Sequence, residues 1–301
     1  MKDFNGKVAV VTGAGSGFGR EFARIGAQLG MKLVLADVQQ DALAATAAEL
    51  EALGATVLAR RVDVSVGEQV DALAEAAFST FGAVHLLFNN AGVGGSGGLL
   101  WESSVRDWEW TLGVNLWGVV HGVRAFVPRM LAAAKEDPAF RGHVVNTASM
   151  AGMINTPLMG PYSVSKHAVV SLSETLFQDL SLTGEQVSCS VLCPFFVPTA
   201  IAQSERNRPA GLLDAAPLTR SQQIAKAMTE KAVQASRISA EQVARMTFDA
   251  VRDGNFYIYS HPHRLESVEA RMDDLLAARN PRDPLAAQPE VRAQFEAAVR
   301  A

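Results

Sequence analysis

Tyr162 and Lys166 stand four positions apart, and Ser149 lies thirteen positions before the tyrosine. A free phenol titrates near ~10 and exchanges protons poorly at neutral pH. An ammonium beside it favours the phenolate and lowers that value. Residues at i and i+4 share one helix face, so a helix beginning near Pro161 puts both side chains on one side. Ser149 follows the apolar run His143-Val144-Val145-Asn146-Thr147-Ala148, which reads as a buried strand with the serine at its C-terminal end. The trio thus has the parts of a proton-exchange site: a phenol, a cation that tunes it, and a hydroxyl that can hydrogen-bond a reacting oxygen. Tyr-x-x-x-Lys alone arises by chance on solvated helix faces, so its meaning depends on the elements around it.

The N-terminus supplies that context. Val8-Ala9-Val10-Val11 reads as a strand covered on both faces. Thr12-Gly13-Ala14-Gly15-Ser16-Gly17-Phe18-Gly19 follows at once, and a helical stretch runs from Arg20 to about Leu29. Strand, glycine turn and helix in that order suit a dinucleotide pyrophosphate, which the backbone can approach closely at a helix N-terminus. A second strand, Lys32 to Ala36, ends at Asp37. An acidic side chain about twenty residues past the turn can accept hydrogen bonds from the adenosine ribose and repels a 2′-phosphate. Asp37 therefore favours NAD over NADP; Arg20 is the one residue that argues the other way. The alternative role for Asp37 is N-cap of the segment from Gln40 to Leu53.

With these motifs in hand, the chain resembles the short-chain dehydrogenase/reductase family. The resemblance rests on Thr12-Gly13-x-x-x-Gly17-x-Gly19, Asp63-Val64, Asn89-Asn90-Ala91-Gly92, Asn115, Ser149 and Tyr162-x-x-x-Lys166, in family order from about residue 6 to residue 200. It implies that Tyr162 is the general acid in ketone reduction and the base in alcohol oxidation. Lys166 lowers the phenol pKa and holds the nicotinamide ribose, and Ser149 hydrogen-bonds the substrate oxygen. Asn115 is similar to a helix-kinking asparagine that supports a water linking the lysine to solvent; its alternative is a buried amide satisfied by backbone. For the cofactor the resemblance implies Gly13, Ser16, Gly17, Phe18 and Gly19 at the pyrophosphate, Asp63 and Val64 at the adenine, and Asn90, Ala91 and Gly92 beside the ribose. Pro194, Val197 and Thr199 come near the nicotinamide. The chain departs from the family at Phe195, where glycine is usual. A phenylalanine does not take positive φ cheaply, so an ordinary backbone is expected there, with Phe195 or Phe196 narrowing the pocket.

Apolar strands near 8–11, 32–36, 56–61, 84–88, 143–147, 187–192 and 256–259 alternate with helical stretches. The expected fold is α/β: a three-layer, doubly wound parallel sheet (Rossmann fold) of about seven strands with a helical C-terminal tail. Residues 1–262 form the main domain, with a substrate lid at about 200–236, and 263–301 a helical extension packed on it. With 49% hydrophobic residues, 19% charged residues and a net charge of −4, the balance is globular and argues against a nucleic-acid partner. No apolar stretch is long enough to span a bilayer and no secretory start is visible. Cys189 and Cys193, four apart in one strand, sit too far apart for a disulfide. A cytoplasmic location follows.

The substrate walls expected by family position are Val93 to Trp101, including Gly95 and Ser96, and a second group of Ala151, Met153, Ile154, Pro157 and Leu158, with Phe195. Core packing is the competing role for Ile154 and Leu158. Arg206 or Arg208 in the lid could meet a substrate carboxylate. The expected partner is a small-molecule substrate, a hydrophobic secondary alcohol or ketone, aromatic ones among them. His261-Pro262-His263 reads as surface, with no metal site, and Asp273-Asp274 as a solvated helix face. Apolar faces on 116–131 and at Leu172, Leu176, Phe177 and Leu180 suggest a homodimer or homotetramer. A dehydratase or epimerase on the same scaffold, and a non-catalytic NAD-binding protein, are the alternative functions.

Overall fold

The Val- and Leu-rich runs near 8–12, 86–89 and 142–147 become strands buried along their whole length. In this computed structural model, which describes residues 1–214, 216–286 and 289–300, β1 (Val8–Thr12), β2 (Lys32–Asp37), β3 (Val57–Arg61), β4 (Leu86–Asn89), β5 (Gly142–Thr147), β6 (Val187–Cys193) and β7 (Tyr257–Tyr259) form one sheet in the order β3-β2-β1-β4-β5-β6-β7. Every pairing is parallel. Chain order runs outward one way from β1 and the other way from β4. The switch point between them opens a crevice at the strands' carboxyl ends.

Alternate strand residues face opposite layers. Ala9, Val11, Leu33, Leu35, Leu86 and Phe88 join one core cluster, whereas Val8, Val10, Val34, Ala36 and Leu87 join the other. The first layer is covered by α1 (Gly17–Gln28) and α8 (Ala240–Asp253); Phe22 of α1 stacks on Phe88 with ring centroids 4.3 Å apart. The second is covered by α3 (Gly67–Phe81), α5 (Gly118–Glu136) and α6 (Gly160–Thr183). Leu176 and Leu180 of α6 bury in this second core, so only part of the expected stripe stays outside; Phe177 is exposed, as are Val164 and Trp117.

The remaining helices are α2 (Gln40–Ala52), α4 (Val105–Leu112), α7 (Arg220–Ala235), α9 (Leu265–Leu276) and α10 (Pro289–Arg300). The stretch from Ala200 is short 3₁₀ turns, Ala200–Asn207 and Ala210–Leu212, before Thr219 and Gln222 build the capping box that starts α7. α10 packs on α7, and Arg271 of α9 donates to the Met153 carbonyl at 3.2 Å. Among the described residues, no helix is long and apolar enough to cross a membrane. Both cysteines are free and buried.

Two readings of the tail are corrected here. Asp274 is not solvated: it is 5% exposed and takes ion pairs from Arg279 and Arg282, each at 3.0 Å. His261 is likewise buried, packed against Phe195 and held by Ser260. Pro262 and His263 stay exposed as expected, whereas the His261 ring packs against Phe195. Among the described residues no group of three potential ligands could hold a metal ion.

Candidate active site

The glycine turn is held by contacts that admit no side chain. A Cβ on Gly19 would fall 2.1 Å from the Gly13 carbonyl oxygen, and one on Gly13 would fall 2.9 Å from Ala91 Cα, where φ is already +68°. Thr12 stitches the turn to the loop after β4: its hydroxyl accepts the N–H groups of Asn90 and Ala91 at 2.9 and 3.1 Å, and its carbonyl accepts Asn90 Nδ2 at 2.9 Å. Ser16 precedes α1 but places no side-chain cap on it, which leaves first-turn N–H groups for an anion. This cradle fits a dinucleotide.

Asp37 ends β2 with both oxygens aimed locally. Oδ2 accepts the Gly15 N–H at 2.8 Å and Oδ1 the Gln39 N–H at 2.9 Å. The helix that follows starts after Gln39, so Asp37 braces the glycine turn and is not the N-cap. Arg20 turns away from this site to pair with Glu49 at 2.5 Å. The cleft is lined by Gly13, Ser16, Gly17, Phe18 and Asp37, by Asp63, Val64, Asn90, Ala91 and Gly92, and by Tyr162, Lys166, Pro194 and Thr199. Gly19 lies behind the turn, and Val197, 3% exposed, belongs to the neighbouring cavity and the core.

Tyr162 and Lys166 share a face of α6, with the ammonium 5.7 Å from the phenol ring centroid. Lys166 Nζ donates to the Thr147 carbonyl at 2.9 Å, beside the end of β5. Burial pulls the Lys166 ammonium down to about 8. Burial also raises the Tyr162 phenol above its ordinary value, against the opposing hydrogen bond from Ser149. The expected depression of the phenol is thus absent from the protein's own electrostatics: desolvation of the phenolate outweighs its neighbours. Ser149, 9% exposed, accepts the Ala151 N–H at 3.1 Å and donates to the Pro194 carbonyl at 3.3 Å.

Asn115 faces neither cavity. It sits in a π-helical segment, Gly113–Trp117, between α4 and α5. Its Oδ1 accepts the Val93 N–H at 2.8 Å, and its Nδ2 donates to the Val93 carbonyl at 3.0 Å and to Ser165 Oγ at 3.1 Å. Ser165 in turn donates to the Tyr162 carbonyl at 2.7 Å. The amide is satisfied by backbone and ties the loop after β4 to the tyrosine helix.

Tyr162 also borders a second cavity of about 530 Å³, shared with Ser149, Gly95, Ser96, Ala151 and Phe195. Ile154 and Leu158 line it too, whereas Met153, Pro157 and Trp101 do not. Trp101 is 80% exposed. Phe195 has no positive φ. Sequence reasoning missed the lid's own lining. Ile201 and Ser204 border both cavities, and Gln222 and Ala225 of α7 border the second. Arg206, one of the two arginines expected at a substrate carboxylate, lines the first cleft instead and reaches Gln39 at 3.3 Å. Arg208 is not free for a substrate carboxylate. It is buried against Asp107, Asp214 and the Trp110 ring. Nothing in the motif spacing marks Ile201, Ser204, Gln222 or Ala225; only the folded chain brings them in.

A glycine turn at the switch point of a doubly wound sheet is the architecture of dinucleotide-binding α/β proteins. Residues 7–210 match the short chain dehydrogenase family, and the chain belongs to that family. It is similar to a crystal structure of a short chain dehydrogenase/reductase from Burkholderia phymatum in complex with NAD, with TM-score 0.92 and 56% identity over 95% of this chain and 100% of that one. It is 35% identical over 274 residues to the CLA biosynthesis dehydrogenase/reductase of Lactiplantibacillus plantarum, covering 90% of this chain and 94% of the relative. It is also 37% identical over 185 residues to the cyclohexanol dehydrogenase of Acinetobacter sp. strain SE19, covering 62% of this chain and 71% of the relative.

Proposed function

We propose that this oxidoreductase moves a hydride between NAD(H) and a hydrophobic secondary alcohol or its ketone, aromatic ones among them. One observation carries the reading: Tyr162 stands where the dinucleotide-type cleft meets the apolar cavity, with Ser149 beside it in that cavity. A phenol at such a seam reaches an oxygen in one cavity while its lysine lines the other.

When bound, NAD supplies the hydride acceptor or donor. The residues lining the first cleft would hold it, with Asp37 accepting hydrogen bonds from the ribose and disfavouring a 2′-phosphate. Tyr162 gives its proton to the carbonyl oxygen during reduction and takes one from the alcohol during oxidation. Ser149 hydrogen-bonds the same oxygen as charge develops on it. Lys166 keeps a cation next to the phenol, fixed by the Thr147 carbonyl. Asn115 holds the Val93 loop and, through Ser165, the start of α6. The apolar lining of the larger cavity, Ala151, Ile154, Leu158, Phe195 and Ala225 among others, favours an uncharged body on the substrate. The cyclohexanol named for one relative is an alcohol of that kind.

NADH absorbance followed against a panel of secondary alcohols and ketones, with Tyr162→Phe as control, tests the assignment. Turnover in the wild type that falls at least about a hundredfold in the variant is expected. Turnover untouched by the change would defeat it. The exposed Trp117, Val164 and Phe177 favour a homodimer or homotetramer; light scattering that finds a monomer at micromolar concentration would remove the oligomer.

A further inference from the structure

We infer that the turn after β7 braces Phe195 as a fixed aromatic wall beside the reacting oxygen, and that this brace limits how bulky a group the substrate carries on that side of its carbinol carbon. The inference rests on the alcohol–ketone chemistry proposed above and names what selects the substrate there.

The backbone at Phe195 is pinned on both sides. The preceding Pro194 carbonyl accepts the Met150 N–H at 2.9 Å and the Ser149 hydroxyl at 3.3 Å. The Phe195 N–H donates to Ser260 Oγ at 3.0 Å, and Ser260 is 1% exposed. The ring therefore starts one residue from the carbonyl that holds Ser149, and it lines the same cavity as Ser149 and Tyr162.

The ring is boxed as well. Phe196 meets it nearly edge-on with centroids 4.8 Å apart, and the buried His261 does so at 5.7 Å. The Arg264 guanidinium lies 4.9 Å from its centroid, a cation–π distance. Ser260 Oγ is also 2.7 Å from His261 Nδ1. One hydroxyl thus holds both the Phe195 backbone and the imidazole packed on its ring. Swinging the ring out of the cavity requires displacing His261 or pulling Arg264 off its face. Of these neighbours His261 and Ser260 are buried, and that buried side resists displacement by a larger substrate. Phe195 is the specificity-determining residue, and Arg264 and Ser260 are positioning residues.

A ketone and oxidised NAD do not react with each other, so substrate-side binding can be read without turnover. Titration calorimetry of the NAD-saturated protein with acetophenone and with 2-acetonaphthone gives the ratio of their Kd values. Phe195→Ala is expected to lower that ratio (naphthone over phenone) at least about tenfold, since even one methylene in an apolar pocket discriminates by about 10-fold or more. Phe195→Leu, which keeps an apolar filler should alanine disturb folding, is expected to lower it by a smaller factor. Arg264→Met moves the ratio the same way about threefold, and Arg264→Lys, which restores a cation, returns it toward the wild type. A ratio within twofold of wild type in both Phe195 variants, with NAD affinity unchanged, overturns the inference, as does failure of the wild type to bind either ketone. Failure of the functional reading looks different: NADH turnover indifferent to Tyr162→Phe.

Discussion

Arg208 Nη1 lies 2.8 Å from Asp107 Oδ1, and the two side chains are only 5% and 3% exposed. The pair joins the stretch after the 3₁₀ turn Ala200–Asn207 to α4. Asp107 uses its other oxygen to accept the Ser104 N–H at 2.9 Å, closing the capping box that begins α4. Burial alone would push the Asp107 carboxyl up; hydrogen bonds from Ser96 and Ser104, together with the Arg208 guanidinium, outweigh it and hold the group below its ordinary value. Arg208 also lies 5.2 Å from the Trp110 ring centroid and 3.3 Å from Asp214. The stretch around Arg208 is therefore held by a desolvated charge cluster and not by apolar packing alone.

Removing one partner of such a pair strands the other. Arg208→Met should lower unfolding free energy by about 3–5 kcal/mol, measured by urea denaturation. Asp107→Asn combined with Arg208→Met should cost less than the sum of the single changes by at least about 1 kcal/mol. Strict additivity would mean that the two groups do not support each other.

Asp37 is expected to set cofactor choice through charge. Its carboxylate sits at the mouth of the cleft, fixed by the Gly15 and Gln39 N–H groups. A like charge ~4 Å away costs several kcal/mol at a partly shielded site. Asp37→Ser keeps a hydroxyl acceptor for those N–H groups and removes the repulsion. The ratio of kcat/KM for NADP over NAD should rise at least about tenfold, with Arg206 nearby to receive a phosphate. An unchanged ratio in steady-state kinetics would place cofactor selection elsewhere.

The strand ends were readable because polar and glycine residues interrupt apolar runs there, and every parallel strand delivers its C-terminal end to the same edge. Gly13, Asp37, Asn90 and Ser149 all stand at or just beyond those ends. The lid was not readable in the same way. Ser204 accepts the Gly94 N–H at 2.9 Å, and Arg208 finds Asp107 across a hundred residues of chain. Such polar residues look like solvated loop until a partner is folded against them. His261 and Asp274 misled for the same reason: burial of a polar side chain is decided by tertiary partners, and local periodicity carries no trace of them. The Tyr162 phenol shows a further limit, because motif spacing signals a neighbouring cation but not the desolvation that opposes it.

Lys166 should contribute through charge. Lys166→Met removes the cation while keeping most of the buried stem, and should reduce kcat about 10²-fold or more. The pH profile gives the sharper test. Because burial brings the ammonium down to about 8, the wild type loses the cation beside the Tyr162 phenol as pH rises through that value, a limb the methionine variant should lack. An identical alkaline limb in both proteins would assign it to another group.

Stability at low pH should be governed in part by His143. The imidazole is 3% exposed on β5, with Nε2 2.7 Å from Ser190 Oγ, and burial brings its pKa down to about 3. An unfolded histidine titrates near ~6.5, so between these values the unfolded chain binds the extra proton and the folded chain does not. The stabilisation is complete above ~6.5 and is lost as pH falls from there toward 3, at up to about 1.4 kcal/mol per pH unit for this one group. His143→Gln keeps a hydrogen-bonding side chain opposite Ser190 and cannot take up the proton. Urea unfolding at pH 7.5 and pH 5 should show a smaller loss of stability on acidification in the variant than in the wild type. Equal losses would mean that His143 takes up its proton as readily in the folded protein as in the unfolded chain, and its burial beside Ser190 would then impose no shift.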